Sequence, residues 1–129
     1  MSKSVLVVAA HADDEALGCG GTIARHVAEG DIVHGIFIAD GVGSRKDAGS
    51  ESLKMREAAA QKAHSLLGFS SVSYLGFPDN RLDGINLLDI VQSVERSLQT
   101  IMPDVVYTHH YGDLNIDHRV AHQAVMTAC

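Results

Sequence analysis

The 129-residue sequence is expected to form an α/β protein, a doubly wound parallel sheet with helices on both faces, in a single domain spanning 1–129. Three observations carry this expectation. Short β-branched apolar runs alternate with longer helical patterns along the whole chain. The first run, Val5 to Ala10, is apolar at every position, as in a strand buried on both faces. The first and last strand-like runs both stop abruptly at loops rich in His and Asp.

The elements follow in order. A strand is expected near 4–10, ending at His11-Ala-Asp13-Asp14-Glu15. Glu15 to Glu29 reads as a helix. A second strand near 32–39 leads into the glycine-containing loop Gly41 to Ser50, expected as a lid over a crevice or else a plain connection. A helix near 51–67, a strand near 71–76 and a helix near 86–101 come next. The fourth strand, near 104–108, ends in His109-His110-Tyr111-Gly112-Asp113-Leu114-Asn115-Ile116-Asp117-His118. A helix over 118–128 carries Val120, Ala121, Ala124, Val125 and Ala128, an apolar stripe that should pack on the sheet beside that strand.

Alternation of this kind requires right-handed crossovers. The common doubly wound, Rossmann-like order 3-2-1-4 sets the first and fourth strands side by side, and the order reverses between them. Such folds open a crevice there, at the carboxyl ends of the strands. Topology therefore brings His11, Asp13 and Asp14 within reach of His110, Asp117 and His118.

One imidazole and two carboxylates within four residues can bind a cation and leave one carboxylate as a base. The same acids can simply cap the following helix and complement its dipole. Capping needs one acid and does not need His11, but these residues alone leave both readings open. At the other end, four of the eight histidines (His109, His110, His118 and His122) cluster among Asp, Asn and Gly, which suits neither a core nor surface decoration.

Ala10-His11-Ala12-Asp13-Asp14-Glu15 resembles the Ala-His-Pro-Asp-Asp-Glu signature of the PIG-L/LmbE-like zinc-dependent de-N-acetylases. Asp113-Leu-Asn-Ile-Asp117-His118-Arg119 resembles that family's second motif. Met55-Arg56-Glu57, opening an Ala-rich helix, looks like its Arg-Glu helix, and Leu75 to Leu82 looks like its Pro-Asp substrate loop. Ala12 stands where the family usually has proline, which removes no ligand. Family members usually run well beyond the second motif. The fourth strand is therefore expected to be an exposed edge or to be shielded by a second chain in a homo-oligomer.

The resemblance implies a metal-dependent hydrolase that removes an N-acetyl or other N-acyl group from an amino sugar or glycoconjugate. His11, Asp14 and His118 would ligate zinc, the open three-ligand set of a catalytic site. Two histidines and an aspartate also accept Fe2+, Co2+ or Mn2+. Asp13 would be the general base. Asp117 would hold His118 or another ring in its tautomer. Arg56 and Asp79 would bind sugar hydroxyls.

Other residues carry competing readings. His110 either stabilises the oxyanion or hydrogen-bonds within its own loop. His122 could pair with His118 as an i, i+4 metal site, but Asp14 already completes a triad. His109 is expected on a buried, non-catalytic face. His26, His34 and His64 are expected on helix or strand surfaces in structural roles. Gly18-Cys-Gly-Gly21 lacks dinucleotide-loop spacing, so close helix-to-sheet packing is expected to explain it.

Composition narrows the partners. A net charge of −6 and the absence of Trp disfavour nucleic acid and anionic membranes. No signal or membrane-spanning segment is expected. Two cysteines without framework spacing fit a reducing, cytoplasmic location. A phosphoacceptor signalling domain would need an Asp ending the third strand, where Leu75-Gly-Phe stands, and a Lys after Lys62, where none occurs. A catalytically inactive sugar-binding or assembly protein of the same fold is the nearer alternative.

Overall fold

The computed structural model describes residues 1–39 and 50–129. The order is β1 (Ser4–Ala9), α1 (Asp14–Ala28), β2 (Ile32–Ala39), α2 (Ser50–Leu67), β3 (Ser71–Phe77), a 3₁₀ turn (Leu82–Gly84), α3 (Leu87–Ile101), β4 (Val105–Tyr107) and α4 (Ile116–Ala128). The expected lid over 41–50 lies outside the described residues, apart from Ser50, which opens α2.

The four strands form one parallel sheet in the order β3-β2-β1-β4. This is the expected topology. Val5 pairs with both Val33 and Val105, so β1 is central and β4 is an edge strand of the described sheet. Side chains alternate across each strand. Leu6, Val8, Ala10, Ile36 and Ile38 pack against Ile90, Val91 and Val94 of α3 and Val120, Ala121, Ala124 and Val125 of α4. Val5, Val7 and Val33 face the other way, against Ile23 of α1, with Val27, Leu67 and Phe69 around them. The apolar stripe of α4 thus packs on the sheet as its spacing requires, and both faces are covered. Each fully buried Leu, Ile or Val contributes roughly 1.5–3 kcal/mol. No helix among the described residues is long and apolar enough to cross a membrane.

Three local expectations are corrected. Gly18 and Gly21 do not mark close packing, because a Cβ on either would meet nothing within 4 Å. The helix instead breaks its regular geometry at Cys19 (φ −144, ψ 24), where neighbouring glycines lower the cost of a kink. His64 is not on a surface. It is 5% exposed, stacked on Phe37 at 4.9 Å, with Nε2 3.2 Å from the buried Glu15 carboxylate. Burial pushes the Glu15 carboxyl up and the His64 imidazole down, so both are drawn towards their neutral forms. The third correction is the start of α4, two residues earlier than expected. Asn115 caps it by accepting from the N–H groups of Asp117 and His118.

Candidate metal centre

The site lies at the carboxyl ends of β1 and β4, where the strand order reverses. After β1 the chain turns tightly, and the His11 carbonyl accepts from the N–H groups of Asp13 and Asp14. Asp14 Oδ2 in turn accepts from the His11 N–H at 2.9 Å. That turn fixes the Asp14 carboxylate between two imidazoles, with His11 Nδ1 at 3.3 Å and His118 Nε2 at 3.1 Å. His118 reaches it from the first turn of α4, oriented by the Asn115 cap. Potential ligand atoms of His11, Asp14 and His118 all lie within 4.8 Å of one another. Two nitrogens and one carboxylate oxygen converging on one point is a donor set that fits zinc with an open fourth position.

The outer nitrogen of His11 is held from below. Its Nε2 lies 2.9 Å from Asp117 Oδ2 and 2.8 Å from Asp79 Oδ1. Asp117 is fully buried and also accepts from the N–H groups of Asn80 (2.6 Å) and Leu82 (3.2 Å). The ring held by Asp117 is therefore that of His11, and its burial leaves it a supporting group rather than one that meets substrate. Asp79, expected among the sugar contacts, is likewise buried and set against His11.

Without a metal the hydrogen bond to Asp14 raises the His11 pKa to about 9; Asp117 and the charge of Asp79 add to it and burial opposes it. Burial pushes the Asp14 carboxyl up, but hydrogen bonds from the His11 ring and N–H, with the nearby His118 ring, hold it below the usual carboxylate range.

Asp13 is exposed and makes no capping hydrogen bond, so the capping reading does not describe it. Arg56 lies on the exposed face of α2. His110 makes the expected loop bond: its Nδ1 accepts from the Gly112 N–H at 3.0 Å, and its ring rests on Tyr111. His122 forms no i, i+4 pair. Its Nδ1 donates to the His109 carbonyl at 2.8 Å and ties the loop to α4. His26 bonds Asp31 and Tyr107, and His34 bonds Ser71, as structural residues do.

The residue that sequence reasoning missed is His109. It is not on a remote face. Its ring stacks on His118 at 3.9 Å and 14°, and its Nε2 accepts from the Ala10 N–H at 2.9 Å. Burial pushes its pKa down to about 4, aided by the charge of His118, so it stays neutral beside the site. The backbone bond to β1 is the reason, and only the register of β4 on β1 could have exposed it.

With this geometry in place, the comparison with known sequences is decisive. The description "PIG-L: GlcNAc-PI de-N-acetylase" matches residues 6–129. The chain belongs to the PIG-L family. The Escherichia coli K12 protein YaiS, described as an uncharacterized deacetylase, is 33% identical over 132 residues, which is 98% of this chain and 68% of that protein. The N,N'-diacetylchitobiose deacetylase from Pyrococcus horikoshii shares the fold with a TM-score of 0.86 at 22% identity, over 98% of this chain and 49% of its own. The 4-carboxy-2-hydroxymuconate hydratase GalB from Pseudomonas putida KT2440 superposes with a TM-score of 0.81 at 25% identity, over 98% of this chain and 55% of its own. The chain thus spans about half the length of these two solved structures. The fold thus carries both a deacetylase and a hydratase, and the side chains of the site set the reaction.

Proposed function

We propose that this PIG-L chain is a metal-dependent hydrolase that removes an N-acetyl or related N-acyl group from an amino sugar or glycoconjugate. The observation that carries the proposal is the convergence of His11 Nδ1, Asp14 Oδ2 and His118 Nε2, with the exposed carboxylate of Asp13 one residue away. In this reading the three residues hold a divalent cation, zinc first and Fe2+, Co2+ or Mn2+ as alternatives the donor set also accepts. Such a cation would supply Lewis acidity at the amide carbonyl and lower the pKa of a water to about 7.

The remaining chemistry belongs to the side chains. Asp13 accepts a proton as water adds to the amide carbon, then returns it to the nitrogen as the C–N bond breaks. The products are a carboxylate and a free amino sugar. Asp117 and Asp79 keep Nε2 of His11 occupied so that Nδ1 faces Asp14. Arg56 is the proposed contact for sugar hydroxyls. Asp79, buried against His11 Nε2, supports that ring instead.

The experiment follows acetate release from N,N'-diacetylchitobiose and N-acetylglucosamine glycosides by the zinc-loaded chain. A hydratase produces no acetate, so the readout separates the two reactions of this fold. Turnover that stops on chelation and returns with zinc is expected. Zinc-loaded protein that binds these sugars without releasing acetate would favour the inactive sugar-binding alternative.

A further inference from the structure

Asp113 has no part in the chemistry above, yet it makes the best-defined contact to His118. Its Oδ2 lies 2.8 Å from His118 Nδ1. Its other oxygen, Oδ1, accepts from the Asn115 N–H at 2.9 Å, which fixes the plane of the carboxylate. The Asp113 N–H donates to the His110 carbonyl, so the backbone beneath it is also anchored. Both of its hydrogen-bonding partners and its backbone therefore hold one orientation.

An ionised carboxylate can only accept. The shared hydrogen must then sit on His118 Nδ1. The other nitrogen, Nε2, faces a second acceptor, Asp14 Oδ2, at the longer distance of 3.1 Å, so in the neutral ring the shorter Asp113 contact favours the hydrogen on Nδ1, and Nε2 is the nitrogen open to a metal shared with Asp14. His109 stacks on the face of the same ring at 3.9 Å. It accepts from the Ala10 N–H and is neutral, so the stack does not set two cations together. The ring is held in its plane by Asp113 and against rotation by His109.

We infer that Asp113 is a positioning residue that fixes the Nδ1–H tautomer of His118, so that Nε2 presents a lone pair to a divalent metal held with His11 and Asp14. The inference rests on the metal reading given under Proposed function. It assigns His118 a carboxylate of its own, separate from Asp117 and Asp79, which serve His11. Each imidazole of the site is thus backed by an acid on its outer nitrogen, a pattern that raises ligand basicity and fixes orientation.

Asp113→Asn tests this directly. The asparagine keeps an oxygen for the Asn115 N–H and turns its NH2 towards His118 Nδ1. That group donates, so the ring must carry its hydrogen on Nε2, the nitrogen facing Asp14. Two readouts are taken on wild type, Asp113→Asn and Asp113→Ala, with thermal melts to show that each is folded. The first is the ¹⁵N NMR shift pattern of His118 in metal-free protein, at a pH where the ring is neutral. The second is zinc affinity by competition with a chromophoric chelator. Wild type should show Nδ1–H, and Asp113→Asn should show Nε2–H with zinc affinity about 10–100-fold weaker. Asp113→Ala should bind more weakly than wild type with no single tautomer enforced. Wild type that binds zinc while Asp113→Asn binds within threefold of it, with an unchanged tautomer, would overturn the inference alone. Wild type that takes up no zinc would overturn the metal reading and the inference with it.

Discussion

Replacing Asp117 with Asn should unfold the chain more readily than almost any other isosteric change. Asp117 is fully buried and accepts from three donors: the Asn80 N–H, the Leu82 N–H and His11 Nε2. An asparagine presents one oxygen and one NH2 group. Whichever way the amide turns, its NH2 faces a donor, and at least one buried N–H loses its acceptor. An orphaned buried donor costs about 1–3 kcal/mol, and the bonds that survive lose their charge assistance, about 1 kcal/mol more. The expected loss is about 3 kcal/mol. For a chain of this length that is a fall in Tm of roughly 10 °C. The assay is thermal unfolding of metal-free protein followed by circular dichroism at pH 7, so that metal loss does not add to the effect. A fall of less than about 2 °C would refute the reasoning, because it would mean that Asp117 does not hold the 80–82 turn against His11.

Three further outcomes follow from the same geometry. Asp13→Asn should bind zinc as wild type does and lose about 10²–10⁴ of its acetate release, measured as kcat, because an amide cannot take the water's proton. Near-normal turnover would leave Asp13 without a catalytic role. The His11 pKa, raised from 6.5 to about 9 by Asp14 first, means that metal-free protein carries a proton there at pH 7 that the metal must displace. Apparent zinc affinity should therefore rise about tenfold per pH unit from about 6.5 to 9, with proton release seen calorimetrically in buffers of different ionisation enthalpy. The linkage sign is that of a raised pKa. The contribution of His11 to metal-free stability is fully present below pH 6.5 and is lost as pH rises through 9. Gly68→Ala should destabilise by about 1–3 kcal/mol without changing zinc affinity, since its φ is +87° and a Cβ would come 2.8 Å from Val27 Cγ1; an unchanged Tm would show that the end of α2 shifts freely.

Much of this arrangement was legible in the residues because it depends on pattern and topology. The β-branched apolar run Val5 to Ala10 fits a strand covered on both faces, and the strand–helix alternation then restricts the sheet to a few orders. The order 3-2-1-4 puts the His11 and His118 loops together without any knowledge of side chains. What pattern could not reach were contacts set by register and by capping. Asn115 caps α4 through the N–H groups of Asp117 and His118, so the helix starts at Ile116, two residues before its apolar stripe indicates. His109 turns inward because the Ala10 N–H beyond the end of the β1 ladder needs an acceptor. Asp117 serves His11 rather than its sequence neighbour His118 because it sits one residue earlier on α4 and points into the core above the 80–82 turn. His64 went unrecognised as buried because its partners, Glu15, Phe37 and Tyr74, come from three separate elements.

The central claim is that His11, Asp14 and His118 form one metal centre. X-ray absorption at the zinc edge, on the purified chain loaded with one equivalent, tests it most directly. The expected spectrum shows two imidazoles and light oxygen or nitrogen ligands at about 2.0–2.2 Å, four ligands in all. His118→Ala should lose one imidazole and most of the bound zinc. A sulfur shell at about 2.3 Å, which would place the metal on Cys19 or Cys129, or a chain that takes up no zinc, would contradict the account.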